Sequence, residues 1–590
     1  MKILLTTLNA RYVHTNIAIR YLKNSIKDMD DSIDIEIREF TINQSKEYIL
    51  REIYKLQPDI IGFSCYIWNM EMINHITMLL KKIMPELIIV LGGPEVSFTP
   101  KSIMKDNDAI DIIVMGEGEK TFKDLIIKIK DNEDYSQIPS ISFRARGDVH
   151  TNHMTAITPD MSEIPFPYKN ENISKNQIVY YESSRGCPFN CQYCLSSAST
   201  GVRFRPLDLV KKEIQYFLDQ EVQQVKFIDR TFNAKKDYAL EIMKYILANT
   251  NWKTNFHFEV TADLIDEDML KFLSSVPTGL FQFEIGVQTT NVETLKIIQR
   301  NMDFEKLANA VKEISKHKNI HQHLDLIVGL PREDYFSFRK SFDDVFQLRP
   351  EKLQVGFLKL LKGSGLRENA VEYGYVYDHI PPYEVLESDA MSYGEILRLK
   401  GIEEMVETYW NSNMFTSTIE VILSNFYNSS FNFFQDLWTY WEKHGLYHLS
   451  QGRNKLYEIL LEFCIYKKFN KIEVLKEVLK LDYIKHNKTT SFPKPLYRPL
   501  SANFKNQCHE FLQNIENLKK YLPKYIDMPA KEIIKKVHFQ EFDYNVIELE
   551  RNPNILNDME KEKTIVLFDY DLENKAIEQS RYYELLKTEF

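Results

Sequence analysis

The chain has 590 residues, too many for one hydrophobic core, and its 44% apolar and 27% charged content is that of an ordinary folded protein. A net charge of −10 gives no bulk attraction for a polyanion, and no run of about 18 apolar residues marks a membrane span. The N-terminus MKILLTTLNARYVH has neither the apolar core nor the cleavage site of a secretion signal, so a cytoplasmic protein is expected.

In the first 120 residues, apolar runs at 2–8, 34–40, 60–67, 87–93 and 110–116 read as strands. Helical-period segments around 16–28, 46–56, 69–83 and 119–130 separate them. Strands alternating with helices predict a doubly wound, Rossmann-like parallel sheet with ligands at its carboxyl ends. The sequence places TTLNARYVH, SCYIWN, GGPEVS and MGEGEKTF there. No GxGxxG turn follows the first strand, which disfavours NAD or FAD, and Glu117 and Glu119 beside the glycines would repel a pyrophosphate. Residues 141–152 read as a hairpin turning at Gly-Asp, and the Pro-rich stretch 156–176 as a linker. The first domain is set at 1–155.

From 177 to 365 the alternation restarts. Strand candidates are IVYYESS, 223–229, 255–260, 280–287, 323–330 and 352–360, which predicts an open, partial (β/α)6 barrel. Residues 366–590 change to long amphipathic helices rich in Tyr, Phe and Trp, with two strand-like segments near the end. The fold class is therefore α/β with a mostly helical C-terminal domain. The basic, aromatic stretch 483–505 fits an RNA surface or, as the simpler reading, a solvated loop.

Six cysteines are too few for a disulfide scaffold, and three of them, Cys187, Cys191 and Cys194, fall within SSRGCPFNCQYCLSS after the first barrel strand. Thiolates at i, i+4 and i+7 can each take one iron of a 4Fe-4S cubane, leaving the fourth iron open. A tetrahedral zinc site would need a fourth ligand, and no His or Cys is close in sequence. Gly186 and Pro188 shape the loop. Cys65 reads as a small core residue and His14 as a polar surface or capping residue.

The CxxxCxxC loop with an aromatic before its last Cys resembles the radical S-adenosylmethionine (SAM) superfamily, as do FIDRTFN, FHFEV, FQFEIGVQ and DLIVGLPRED. The resemblance implies an oxygen-sensitive enzyme in which SAM chelates the open iron and an electron splits its sulfonium, giving methionine and a 5′-deoxyadenosyl radical. It implies SAM contacts from Tyr193, Asp229, Glu259, Glu284, Gln288 and Pro331, with Arg203 on the SAM carboxylate. Asp229-Arg230 stands where the superfamily often has a Gly-Gly-Glu-like segment.

The doubly wound domain ahead of such a barrel is similar to the cobalamin-binding radical SAM group. That similarity implies cobalamin contacts from Thr6, Asn9, Ala10, Arg11, Tyr12, Ser64, Cys65, Tyr66, Gly92, Gly93, Pro94, Glu95, Gly116 and Glu117. The DxHxxG cobalt-ligating motif is absent. The expected activity is methylation of an unactivated carbon. Ring formation or rearrangement without methyl transfer is the alternative, and a non-catalytic cobalamin or redox sensor the third reading. Expected partners are a substrate the sequence does not name, small molecule or macromolecule, and an electron donor of the flavodoxin or ferredoxin class, with no membrane and with nucleic acid disfavoured but left open by the stretch 483–505. The C-terminal domain is expected to cap the barrel and select the substrate.

Overall fold

Seven consecutive buried residues in the first strand, Ile3 to Asn9, show a strand covered on both faces, as a parallel sheet between helices requires. The computed structural model describes residues 1–26, 32–155, 160–169, 171, 173–174, 176–195, 201–488, 491–571, 580–585 and 590. They form two compact units, residues 1–335 with 356–393 and residues 336–355 with 394–590.

The first sheet of unit 1 contains β1 (Lys2–Asn9), β2 (Asp34–Thr41), β3 (Ile60–Ser64), β4 (Ile88–Gly92), β5 (Ile112–Val114), β6 (Ile141–Ala145) and β7 (Asp148–Thr151). Their order is β2-β1-β3-β4-β5-β6-β7; the first five are parallel and the β6–β7 hairpin is antiparallel. Alternate residues feed two cores, Leu4, Leu8, Ile61 and Phe63 on one face and Ile3, Leu5, Ile60 and Val90 on the other. Strand order reverses between β1 and β3, the point at which such sheets open a ligand crevice.

The second sheet is built from β8 (Ile178–Tyr181), then, beyond the antiparallel ribbon of β9 (Ser184–Cys187) and β10 (Gly201–Phe204), β11 (Gln224–Phe227), β12 (Asn255–Val260), β13 (Phe281–Gln288), β14 (His321–Val328) and β15 (Lys352–Phe357). The linear order β15-β14-β13-β12-β11-β8 gives the open six-strand form, and β15 straddles the division between the units. On β13, Phe281, Phe283, Ile285 and Val287 are buried, and the alternate Gln282, Glu284, Gly286 and Gln288 are only partly covered. That alternation sets polar groups on one face of the sheet.

The stretch expected to be a linker is packed where it is described. Met161, Ile164 and Tyr168 are buried, Tyr168 OH donates to the Tyr180 carbonyl at 2.8 Å, and Arg205 Nη1 donates to the Ile164 carbonyl at 2.9 Å. Residues 156–159, 170, 172 and 175 of it lie outside the described residues.

Unit 2 is mainly helical and aromatic. Phe342, Phe346, Trp410 and Phe434 pack edge to face or tilted, with centroids 4.6–6.0 Å apart. It ends in an antiparallel sheet of Val537–Phe542, Thr564–Asp569 and Arg581–Leu585, the third strand being one that sequence patterning missed. The basic stretch 483–505 is not a solvated loop throughout. Lys485 is 4% exposed and ion-paired with Glu550, and Arg498 pairs with Glu541 at 3.2 Å and with Asp543. Among the described residues no helix is long and apolar enough to cross a membrane.

One buried carboxylate fastens two helices of this unit. Asp482, 1% exposed, accepts from the backbone N–H of Ser417 at 3.2 Å and of Thr418 at 2.8 Å, where helix Thr416–Phe426 begins. Replacing Asp482 with Ala strands those donors and leaves Lys485 with one carboxylate fewer, at a cost of about 3 kcal/mol. The check is urea unfolding read by tryptophan fluorescence, in which Asp482→Ala lowers the midpoint of the transition reported by Trp410, Trp438 and Trp441.

Candidate active site

The ribbon β9–β10 carries Cys187 at the end of its first strand, and the two strands approach there as closely as they do only with glycine. Gly186 has φ +103°, and a Cβ there would lie 2.1 Å from the Gly201 carbonyl oxygen. Beyond it the chain closes a turn in which the Cys194 N–H donates to the Cys191 carbonyl at 3.0 Å. Two further backbone bonds pin this loop: Gln192 N–H to the Ile298 carbonyl, and Leu366 N–H to the Gln192 carbonyl, both 2.9 Å. The second comes from GSGLREN, where a Cβ on Gly365 would collide with the Gln192 side chain.

Cys187, Cys191 and Cys194 open onto one cavity of about 250 Å³, shared with Tyr193, Arg230, Thr231, Glu259, Glu284, Gln288, Arg300 and Asp325. Among the described residues no three Cys, His, Asp or Glu side chains are grouped as for a single metal ion. A cubane takes one thiolate per iron, so its ligands need not meet at a point, and three thiols around a shared cavity fit it better than a tetrahedral ion. Cys187 Sγ lies 3.6 Å from Thr231 Oγ1, and Cys191 Sγ is 3.8 Å from Arg300 Nη1. Burial pushes the Cys191 thiol up and Arg300 pulls it back.

The cavity is lined with charges of unequal status. Glu284 is held through Oε2, with Lys226 Nζ at 2.7 Å and His257 Nε2 at 3.2 Å. Burial pushes its carboxyl up, but His257 and Lys226 outweigh that and hold it at about 2. Asp325 has a buried Oδ1 without a hydrogen-bond partner among the described residues, and burial with the nearby Glu284 and Glu259 pushes its carboxyl well up. Glu259 is raised for the same reasons, burial first and then Glu284. Asp325 is thus left without a partner for Oδ1 among the described residues, and Glu259 has only the more distant charges of Arg230 and Lys226, in a chamber with two guanidinium groups, a combination suited to a ligand with both cationic and anionic groups.

Of the residues expected to meet SAM, Tyr193, Glu259, Glu284 and Gln288 line this cavity. Gln288 reaches it from a bulge with φ +74°. Three do not. Asp229 is 1% exposed and spent on the turn below, accepting from Ser183 Oγ and Ser184 Oγ, both at 2.6 Å; burial raises its carboxyl to about 6. Its neighbour Arg230 takes the position on the cavity. Arg203 pairs with Glu117, because the antiparallel ribbon turns it towards the first sheet. Pro331 sits behind, its carbonyl accepting from Thr294 Oγ1 at 3.1 Å.

Arg230, Arg300 and Asp325 were missed. Arg230 follows a strand and Arg300 follows the helix Val292–Ile297, both at positions no periodicity marks. Asp325 carried the signal that exposed Glu259 and Glu284, an acid alternating with apolar residues on a strand.

At the carboxyl end of the first sheet the expected cobalamin contacts divide in two. Thr6, Asn9, Ser64, Cys65 and Glu95 are buried. Thr6 donates to the Arg38 carbonyl at 2.6 Å, Asn9 to the His14 carbonyl at 2.9 Å, and Glu95 binds Lys362 at 2.8 Å and the Tyr383 hydroxyl. Gly93 serves a close approach within the chain, since a Cβ would lie 2.5 Å from the Cys65 carbonyl oxygen. Glu117 is ion-paired with Arg185 and Arg203. Ala10, Arg11, Tyr12, Tyr66, Gly92, Pro94 and Gly116 remain partly or fully accessible. Tyr12 is 79% exposed, and Tyr66 stacks on Trp68 at 4.4 Å and 6°, which presents an aromatic face at the switch point. A flat macrocycle fits such a face. His14 is occupied, its Nδ1 2.7 Å from Tyr180 OH.

Three family models match the chain: a B12 binding domain over residues 3–126, the Radical SAM superfamily over 181–345, and a protein of unknown function, DUF4080, over 371–568. The cofactors of the first two are cobalamin, and a 4Fe-4S cluster with SAM. The chain is similar to a 2-(S-pantetheinyl)-carbapenam-3-carboxylate methyltransferase of Streptantibioticus cattleyicolor, at 26% identity over 49% of this chain and 45% of that protein. It is also similar to an anaerobic magnesium-protoporphyrin IX monomethyl ester cyclase of Rubrivivax gelatinosus, at 22% identity over 64% of this chain and 71% of that one. The chain thus spans about half the length of the methyltransferase. In fold it resembles the radical SAM methyltransferase TsrM of Kitasatospora setae with cobalamin and a [4Fe-4S] cluster bound, with a TM-score of 0.54, 16% identity, and 64% of this chain and 76% of that chain covered.

The Lys226–Glu284–His257 contact has a defined pH signature. A carboxyl held at about 2 instead of 4.5 contributes stability that is full above pH 4.5 and is lost as the pH falls towards 2. Wild type is therefore more stable than Glu284→Gln at neutral pH, and the two converge between pH 4.5 and 2, as denaturant titrations across that range will measure.

Proposed function

We propose that this chain, a radical SAM protein with a B12 binding domain ahead of its barrel, reductively cleaves SAM and methylates an unactivated carbon of its substrate. The observation that carries the reading is the shared cavity, where three cysteines face Asp325, whose Oδ1 has no partner among the described residues, together with Glu259 and two guanidinium groups. Cys187, Cys191 and Cys194 would hold a 4Fe-4S cluster, with SAM bound beside it in the same cavity. Arg230, which is exposed and lines the cavity, takes the SAM carboxylate in place of Arg203. Glu259 meets the SAM amino group or ribose, and Gln288 and Tyr193 border the adenosine. Bound there, the cluster supplies the electron that cleaves SAM, and cobalamin, docked on the face of Tyr12, Tyr66 and Trp68, supplies the methyl group.

A second reading, ring formation or rearrangement without methyl transfer, is supported by the similarity to the cyclase, which spans more of both chains than the methyltransferase match does. The electron comes from a flavodoxin- or ferredoxin-class donor in either case.

Anaerobic reconstitution tests the reading. The full chain is expected to take up about four irons and four sulfides, and Cys187→Ala, Cys191→Ala and Cys194→Ala each to lose most of them. With reductant and SAM, 5′-deoxyadenosine together with S-adenosylhomocysteine supports methylation, and deoxyadenosine alone supports rearrangement. A fully loaded protein that forms no deoxyadenosine is a sensor and contradicts both. Glu259→Gln is expected to raise the KM for SAM about tenfold, consistent with the loss of one charged hydrogen bond.

A further inference from the structure

Arg300 is held in the cavity wall by contacts on three sides. Its Nη1 donates to Tyr193 OH at 3.1 Å and to Cys191 Sγ at 3.8 Å, and its Nη2 donates to the Gly286 carbonyl oxygen. Nε is buried and has no partner among the described residues. Two residues before it, the Ile298 carbonyl accepts the Gln192 N–H at 2.9 Å, so the arginine and the cysteine loop are tied to each other. The guanidinium therefore cannot drift from the sulfur as an exposed side chain would.

A guanidinium is charged at every accessible pH, and its planar fork fixes the direction of its N–H groups. Hydrogen bonds to the sulfurs and the local net charge are two of the levers that set a cluster's reduction potential. A fixed cation beside one thiolate favours the more negative, reduced cluster over the oxidised one, and a low-dielectric wall strengthens the effect. Arg230, the other guanidinium on the cavity, is exposed and makes no contact with a thiol among the described residues, so it does not supply this effect at Cys191.

We propose that Arg300 sets the reduction potential of the cluster by holding its charge and an N–H against Cys191 Sγ. The inference rests on the reading that Cys187, Cys191 and Cys194 carry that cluster. The event it governs is the gain of one electron from a one-electron donor; no bond is broken and no proton moves. Arg300 is a positioning residue, since it acts through Cys191.

The test is an EPR-monitored redox titration of the reconstituted full chain, with dithionite and mediators. At the wild-type midpoint, Arg300→Gln is expected to lower the ratio of reduced to oxidised cluster about tenfold, a shift of about 59 mV for one electron. Arg300→Lys keeps the charge and is expected to stay within about threefold of wild type. It also serves where the Gln variant holds too little cluster to titrate, and a tenfold or larger drop in the Lys variant overturns the charge argument. A wild-type ratio in Arg300→Gln, at equal iron and sulfide content, overturns the inference and leaves the cysteine reading standing. Wild-type protein that takes up no cluster overturns both.

Discussion

The guanidinium of Arg185 is the fastening on which the site depends. It stands two residues before Cys187 and is held by three carboxylates at once: Glu117 and Glu119 of the first sheet's GEGE turn, and Glu182 of its own segment, each at 2.8 Å. Arg203, across the ribbon, adds a second cation to Glu117. Arg185, Glu119 and Glu182 are largely buried, so removing one partner would leave charge without either water or a counter-ion. The two sheets of unit 1 are thus joined by electrostatics at the spot where the cysteine loop leaves its strand. The glycines around Glu117 and Glu119 give that turn the shape to reach the arginine.

From that fastening the rest follows in order. The ribbon of β9 and β10 is set against the first sheet, Gly186 turns the chain under Gly201, and the cysteine loop is then caught from its other sides by Ile298, Leu366 and Arg300. The strap that supplies Leu366 also carries Lys362, which binds Glu95 beside the first sheet's Gly92–Gly93 turn. The first sheet's loops are therefore tied to the cysteine ribbon and to this strap by four ion pairs, Arg185–Glu117, Arg185–Glu119, Arg203–Glu117 and Lys362–Glu95. The reaction proposed above would need such a fixed relation, because it brings a methyl group and a substrate radical together.

Periodicity was the reliable signal for the fold. Buried parallel strands such as β1 and β3 are continuous apolar runs, and half-buried ones such as β13 alternate, so both kinds were readable to within a few residues. The cysteine triplet was legible because its spacing is local. What the sequence concealed were the partners of long-range charges. Glu117 reads as a ligand contact until Arg185 and Arg203 are seen to occupy it, and Asp229 reads as a site acid until Ser183 and Ser184 are seen to satisfy it. Arg230 lies beyond a strand and Arg300 beyond a helix, where no repeat marks a functional position. Ion pairs across 66 and 68 residues leave no trace in a local pattern.

Hydrogen exchange at the cysteine loop measures the central claim directly, with the wild-type chain compared with Glu117→Gln/Glu119→Gln. Both replacements lie in the first sheet's turn and touch neither the cysteines nor the cavity. If the Arg185 clamp holds the loop, the amides of residues 186–195 exchange at least tenfold faster in the variant while those of β1 and β3 keep their protection. Unchanged exchange at 186–195, with the carboxylates gone, would mean that the loop is held without the first sheet, and would contradict the account.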